Sequence, residues 1–274
     1  MIAVIITLLN DKRFERTIQS LLEQTIPVEK IIIADGGSTD GSFELAKEYE
    51  KKYANINVLS LPGSITETRN NLLKKIKSDV IIFIDADEVA PRYWLESLIR
   101  PITNGEADFS GGPTKPLSEP KSNVEKYVND FDNWFYKNIV SNDITMLPMG
   151  NSAWSRKIFD AIGGIDEELT WNAEDYDINI RTVNAGFKGI FVPEAWTYHD
   201  QSHLNTTRKI IRRKYRYCVG ATMVYLKNKM LRKKATRAAK TSVRFHHPYE
   251  WIGLIIKPVA LIRGVIAWKL RHRK

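Results

Sequence analysis

One cysteine, Cys218, stands in 274 residues. It excludes an internal disulfide and fits a reducing compartment. No run of 18 residues is free of charge, so an ordinary membrane span is not indicated. No Gly-x-Gly-x-x-Gly opens a helix and no Gly-Lys-Ser/Thr occurs, which leaves a dinucleotide fold and a P-loop nucleotidase unsupported. The first 200 residues hold no internal repeat and no low-complexity tract. Acids are nearly missing from the C-terminal quarter. Residues 208–274 carry 20 Lys/Arg and one acid, Glu250, a net +19. The rest of the chain is acidic, at −10, within an overall +9. A basic extension therefore follows an acidic body. Hydrophobic residues make up 43% and charged residues 27%, a globular composition with ample core.

The body reads as alternating strands and helices. Ile2 to Leu9 is apolar. A secretory signal would carry its basic residues before such a run, whereas Lys12 and Arg13 follow it, so a buried first strand is expected. Phe14, Ile18, Leu21 and Leu22 share one helical face. Ile31–Ala34 is a second strand, ended by the polar stretch from Asp35 to Gly41. A helix over 43–53 is expected with Asp40 as its N-cap. Residues 56–59 and 80–84 read as further strands, with a helix over 66–76 between them. Short β-branched runs separated by helices predict an α/β fold with a mostly parallel sheet covered on both faces. Ligands of such sheets bind beyond the carboxyl ends of the strands. Asp35 and the Asp85–Glu88 cluster both follow strand ends and are expected on one rim. Beyond residue 100 the alternation weakens. Residues 111–113 and 116–120 read as loop-rich, 127–136 as an aromatic helix that could wall a cleft, 174–183 as a helix and 189–192 as a strand.

Three acidic clusters and a histidine carry the chemistry. Asp85-Ala86-Asp87 offers two hard oxygen ligands, suited to Mg²⁺ or Mn²⁺ with phosphates as further ligands; the plainer reading is a solvated acidic turn. Asp35 could accept a hydrogen bond from a base N–H or a ribose hydroxyl, or serve only its Asp-Gly-Gly-Ser turn. Glu174-Asp175 could supply a general base to a sugar hydroxyl, or simply favour the positive end of a helix. His199 could be a metal ligand or a satisfied surface histidine.

The extension has its own pattern. Tyr215, Cys218, Val219, Met223, Leu226 and Met230 can line one face of a basic helix, and a second basic stretch runs from Lys227 to Arg244. Residues 251–270 are long enough to span a membrane, but Lys257, Pro258 and Arg263 interrupt them. Each such charge costs about 2.5–3.5 kcal/mol at mid-bilayer. A segment lying in the interface, with Trp251 and Trp268 at headgroup depth, is the expectation. The alternative is a helix packed on the body with a solvated basic face. No nucleic-acid module precedes the basic stretch, so no nucleic-acid partner is expected.

Taken together the motifs resemble the family 2 glycosyltransferases, of GT-A fold. The resemblance covers roughly residues 1–200. It rests on Thr7-Leu8-Leu9-Asn10, on Ala34-Asp35-Gly36-Gly37-Ser38-Thr39-Asp40-Gly41, on Thr68-Arg69-Asn70 and on Phe83-Ile84-Asp85-Ala86-Asp87-Glu88. It continues through Gly150-Asn151, Gly163-Gly164-Ile165-Asp166 and Ala173-Glu174-Asp175-Tyr176-Asp177. The order and spacing of these pieces are far more specific than any one of them.

The resemblance implies a donor site and a base. Asp35 would contact the nucleotide base, and Thr7 and Leu8 would line its pocket. Arg69 would contact the nucleotide. Asp85, with Ala86 beside it, would reach the ribose or the metal's surroundings. Asp87 would bind Mn²⁺ or Mg²⁺, with His199 as a second ligand. Asp175 would deprotonate the acceptor and Glu174 would shape its site. The implied enzyme is an inverting transferase, of hexoses for instance, using a nucleotide-diphosphate sugar. Gly36 stands where many relatives carry a second acid, and Thr7-Leu8-Leu9 replaces a Pro-Thr-Tyr type of sequence. The Gln-x-x-Arg-Trp motif of processive synthases is missing, which favours transfer of one sugar.

The expected organisation is a GT-A catalytic domain over 1–205 and a basic amphipathic extension over 206–274. The extension would bind an anionic membrane surface on the cytoplasmic face, where a lipid-linked or membrane-bound glycan would be the acceptor. A polyprenyl-phosphate sugar synthase would share the donor site but need no base. A sugar nucleotidyltransferase and a non-enzymatic basic adaptor are the remaining alternatives.

Overall fold

Ile2–Leu8 (β1) is an interior strand of the sheet, and its side chains alternate between two cores. The computed structural model describes residues 1–169, 172–228 and 248–271. Val4, Ile6 and Leu8 face one cluster, together with Phe14, Ile18 and Leu21 of α1 (Phe14–Leu22) and Trp94, Leu95 and Leu98 of α4 (Trp94–Thr103). Ala3 and Ile5 face the other, with Leu72 and Leu73 of α3 (Ile65–Lys75), Ile158 and Phe159 of α6 (Arg156–Ile162) and Ile178 of α7 (Glu174–Asn184). This two-residue alternation is why helices cover both faces. Burying each such Ile or Leu contributes about 1.5–3 kcal/mol.

The seven-stranded sheet runs β3-β2-β1-β4-β8-β6-β9. β3 (Ile56–Ser60), β2 (Lys30–Asp35), β1 and β4 (Val80–Asp85) are mutually parallel. β8 (Asn151–Ser155) is antiparallel to both β4 and β6 (Phe109–Gly111), and β9 (Gly189–Phe191) closes the edge parallel to β6. A small second sheet joins β5 (Glu88–Val89), β10 (Thr197–His199) and β7 (Thr114–Pro116). The expected α/β architecture is therefore present; of the stretches expected as loop, Gly111 and Pro116 are the last residues of two short strands. Strands of two or three residues show no periodicity; partners 80 or more residues away define them.

Local signals differ from expectation at one cap. α2 (Ser42–Lys52) starts after Gly41, whose φ of 89° is left-handed, so Gly41 and not Asp40 is the N-cap. Asp40 instead accepts hydrogen bonds from the backbone and hydroxyl of Ser42. α3 carries a full capping box, Ser64 with Glu67. Asn151 ties β8 down: it accepts from the Trp94 indole at 2.8 Å and donates to Pro113 and Ala195 carbonyls. Gly112 makes this possible, since a Cβ there would lie 1.8 Å from the Ala195 oxygen.

The extension folds against the body. α5 (Asn123–Asn138) is the expected aromatic helix. α8 (Thr207–Lys227) and α9 (Pro248–Arg271) pack on each other and share an apolar cluster with Leu169, Ala173 and Ile180. Tyr215, Cys218, Val219 and Met223 face that cluster as expected; Met230 and most of the 227–244 basic stretch lie outside the described residues. Pro258 does not break α9. No helix among the described residues is long and apolar enough to cross a membrane. Trp268 packs inward against α8 and not at the outer surface, a correction caused by its place on the same face as Ala260 and Ala267.

Candidate active site

The strand register puts the first set of residues at one level. Thr7 pairs with Ala34 on one side and Asp85 on the other, and Leu8 pairs with Asp35. Three adjacent strands thus end together, and the expected rim is real. A cavity of about 250 Å³ opens there, lined by Thr7, Leu8, Leu9, Asp11, Gly36, Gly63, Ile65, Thr68 and Asp85 to Asp87. Asp35 lies just behind it, 2% exposed. Its carboxylate accepts from the backbone N–H groups of Gly37 and Ser38, so the turn reading is the one the geometry displays.

Asp87 is held by cations. Its oxygens lie 3.3 Å from the Arg13 guanidinium and 3.4 Å from His199 Nε2. Burial would raise Asp87, yet His199 and Arg13 hold its carboxyl below the ordinary value. Burial works against a charged His199 as well, but the Asp87 hydrogen bond and the charges of Glu88, Asp87 and Asp85 push it up to about 9. β10 carries His199 opposite Glu88 of β5. Glu88 itself is buried, accepts from Thr197 at 2.8 Å and titrates well above the usual range because of that burial. It belongs beneath the site, not on the rim where the sequence grouped it. Arg13 and Asp200 were missed from sequence. Arg13 bonds Asp11 and the Asp200 carbonyl, and the Asp200 amide donates to the Asp87 carbonyl, tying the start of α1 to the strand end and to β10.

Arg69 joins this rim to the second acidic pair. Only 3% exposed, it donates to Thr7 Oγ1 and to Asp85 at 3.2 Å and lies 3.7 Å from Glu174. Arg69 is thus a buried bridge between carboxylates of the two acidic pairs. Asp85 stays above its ordinary pKa because burial outweighs the Arg69 charge. Gly150 lies against it, and a Cβ there would sit 2.2 Å from its Oδ2.

Glu174 and Asp175 open α7 after two residues in the left-handed region, Asn172 and Ala173, both at φ 75°. Non-glycine residues adopt that conformation at a cost of about 1–2 kcal/mol, and such strain clusters at functional sites. Burial raises the Asp175 carboxyl to about 7, reinforced by the negative Glu174 beside it. Its Oδ1 accepts from the Tyr176 N–H. Asp177, by contrast, is fully buried and paired with Arg181 at 2.6 Å, a structural acid.

Thr7, Leu8, Asp85, Ala86 and Asp87 line one cavity, and Arg69 links Asp85 to Glu174, the neighbour of Asp175. Tyr217 and Arg213 of α8 were missed. Tyr217 feels the charges of Arg213, Asp175 and Glu174. One turn further along, Gly220 lets α8 touch the strained turn, since a Cβ would lie 2.0 Å from the Asn172 oxygen. The basic extension therefore packs beside Glu174 and Asp175. Such long-range placement leaves no local signal, except that Arg213, Tyr217 and Gly220 fall on one helical face at i, i+4 and i+7.

The family model for glycosyl transferase family 2 matches residues 3–163. The chain is a family 2 glycosyltransferase. Among its relatives, it is 33% identical over 140 residues to the poly(ribitol-phosphate) beta-glucosyltransferase of Bacillus spizizenii, covering 48% of this chain and 22% of that protein. It is 25% identical over 146 residues to the glycosyltransferase AglE of Haloferax volcanii, covering 51% of this chain and 48% of AglE. The chain thus spans half or less of the length of these relatives. A mannosyltransferase of Pyrobaculum calidifontis, solved with GDP-Man and Mn²⁺, superposes with a TM-score of 0.69 at 13% identity, over 99% of this chain and 88% of that one. Staphylococcus aureus TarS 1–349, solved with UDP-GlcNAc, gives 0.61 at 16% identity, over 98% and 82%. These likenesses establish the GT-A fold. The family match ends before Glu174, Asp175 and His199, whose roles rest on geometry.

Proposed function

We propose that this glycosyltransferase moves one sugar from a nucleotide-diphosphate donor to a hydroxyl of a membrane-associated glycan or lipid-linked acceptor, with inversion. One observation carries the reading: the strand-end carboxylate Asp85, in the same cavity as Asp87, is joined through buried Arg69 to Glu174, whose neighbour Asp175 has a pKa of about 7 that suits a base. Asp175 accepts the proton of the attacking hydroxyl. Glu174, held by Arg69, keeps a second negative charge beside it and so sustains its basicity. Thr7, Leu8 and Ala86 shape the donor pocket, with Asp35 just behind it on the side of the base.

Among the described residues no cluster of three or more His, Cys, Asp or Glu could hold a metal by itself. Asp87 and His199 fit a site in which diphosphate oxygens and water complete the ligand set, a common arrangement for Mg²⁺ and Mn²⁺. A divalent ion bound there would offset charge on the departing diphosphate. The structural neighbour solved with GDP-Man and Mn²⁺ supports a divalent ion.

The outer face of α9 supports a place at a membrane. Ile255, Val259, Ile262, Ile266 and Leu270 form one exposed stripe, Ile255 at 76%. It lies opposite the packed face that holds Ala260 and Gly264, and Lys269 and Arg263 flank it. Such a helix lies in an interface, with basic residues drawn to anionic lipids. We place the enzyme on the cytoplasmic face, peripheral to the bilayer. A donor screen with Mn²⁺ that yields no transfer or donor hydrolysis with any nucleotide sugar would refute the catalytic reading. The polyprenyl-phosphate synthase alternative predicts near-normal turnover in Asp175→Asn, because a phosphate acceptor needs no base.

A further inference from the structure

Between Asp200 and Glu250 the chain carries no acid. α8 lies in this stretch, and its first turns bear a row of cations. Arg208, Arg212 and Arg216 stand four residues apart, so each step advances about 6 Å along the axis and about 40° around it. Side chains at that spacing form one ridge of a helix surface. Arg208, Lys209 and Arg212 are exposed, and Arg216 is half-buried. None of the four forms an ion pair among the described residues; Lys209 bonds only the neutral Asn205, at 3.1 Å. Like charges four residues apart disfavour the helix that bears them, so the row does not serve the fold.

The ridge has a direction. Its next member is Gly220, about 18 Å along the axis from Arg208. There α8 meets the turn before Glu174 and Asp175: a Cβ on Gly220 would lie 2.0 Å from the Asn172 oxygen and 3.1 Å from the Ala173 Cβ. The cations therefore lead up to the proposed base. Among the described residues, the large exposed apolar side chains of α8 are Tyr217 and Tyr225, both beyond Arg216. The apolar anchor for a bilayer is on α9, and the ridge offers charge alone.

We propose that Arg208, Arg212 and Arg216 form a track for an anionic glycan, a linear acceptor chain that lies along α8 and presents its end hydroxyl to Asp175. The inference rests on the transferase reading above and adds the charge of the acceptor. A chain of like charges repels itself into an extended shape, which suits a straight row of guanidinium groups. Exposed ion pairs are individually weak and screened by salt, so several in register are needed to hold a chain.

The test uses the full chain and two double substitutions of equal charge change at exposed positions, Arg208→Gln/Arg212→Gln on the ridge and Lys257→Gln/Lys269→Gln on α9. Oligogalacturonate is titrated calorimetrically at low salt, with uncharged malto-oligosaccharide of the same length as the control, and each protein is floated with anionic vesicles. The ridge pair should lose about fivefold or more in affinity for oligogalacturonate, the effect of two exposed charge pairs. Arg208→Lys/Arg212→Lys should retain most of the affinity, because the charge is kept. The α9 pair should bind the glycan like wild type and float less. Melting temperatures within a few degrees of wild type exclude a folding defect, and Arg212→Gln alone, expected to lose about twofold, gives the reading if the pair is unstable. A wild type that ignores oligogalacturonate, or binds the neutral chain equally, overturns the proposal. So do equal losses in the two pairs, or a ridge pair that loses flotation while keeping glycan affinity, which would assign the ridge to lipid. Glycan titration needs no donor, so a lack of donor hydrolysis with every nucleotide sugar would strike separately, at the transferase reading.

Discussion

Thr7, Asp35 and Asp85 close three adjacent parallel strands, whereas Asp175, Arg213 and Tyr217 come from two helices that meet only in the folded chain. The first group is positioned by hydrogen-bonded ladders whose register allows no slippage without turning side chains to the other face. The second depends on close packing at Gly220, on a strained turn at Asn172–Ala173 and on the shared cluster beneath α8. On the proposed reading, the donor side is a property of the sheet, and the acceptor side a property of how the extension docks. Substitutions should separate the two.

Asp175→Asn should cause the largest change. Removing a general base lowers turnover about 10²–10⁴-fold, and the wild-type rate should climb as pH rises through about 7, where Asp175 loses its proton. A pH–rate profile of both proteins checks this. The same shift has a stability consequence. The folded pKa is raised above the ordinary 3.8, so folding favours the protonated acid and stability is lost as pH rises from about 4 through about 7. Asp175→Asn should therefore melt higher than wild type at pH 8 and little differently at pH 4.

Gly220→Val should come next. Its Cβ would collide with the Asn172 oxygen, shift α8 and misplace the base by a fraction of an ångström to an ångström, a displacement that can cost about 10²-fold in transfer. Donor binding should survive, since β1, β2 and β4 are untouched. Equal loss of both would erase the distinction between the halves. Ile262→Asn on the outer face of α9 should reduce partition onto anionic vesicles by about tenfold, on the scale of one buried apolar side chain. Flotation assays would show it, and donor hydrolysis in solution should not change. Lys269→Ala should be milder, about fivefold, as expected for one basic residue near a charged surface.

Much of the donor side was legible because it obeys local rules. Apolar runs such as Ile31–Ala34 and Val80–Ile84 announced the strands, and carboxylates directly after them announced the rim. The limits are also physical. Whether Arg69 faces the nucleotide or lies beneath the cleft depends on its contacts with Asp85 and Glu174, which sequence spacing does not encode. Asp40 lies one residue outside the cap position, which Gly41 occupies in a left-handed conformation, and its carboxylate accepts from Ser42 instead. β5, β7 and β10 are too short for any period to show. Arg13 and Arg213 resembled ordinary surface cations until the fold set them beside Asp87 and Tyr217. Trp268 looked like an interfacial anchor, yet its helical face turns it toward α8.

The division of labour between the two halves is tested most directly by calorimetric titration of the donor nucleotide sugar, with Mn²⁺, into wild type, Asp87→Asn and Asp175→Asn. Asp87→Asn should weaken Mn²⁺-dependent donor affinity by about tenfold or more, given the carboxylate's part in holding the ion, while Asp175→Asn should bind as tightly as wild type. Undiminished Mn²⁺-dependent binding in Asp87→Asn, or a comparable collapse in Asp175→Asn, would contradict the account.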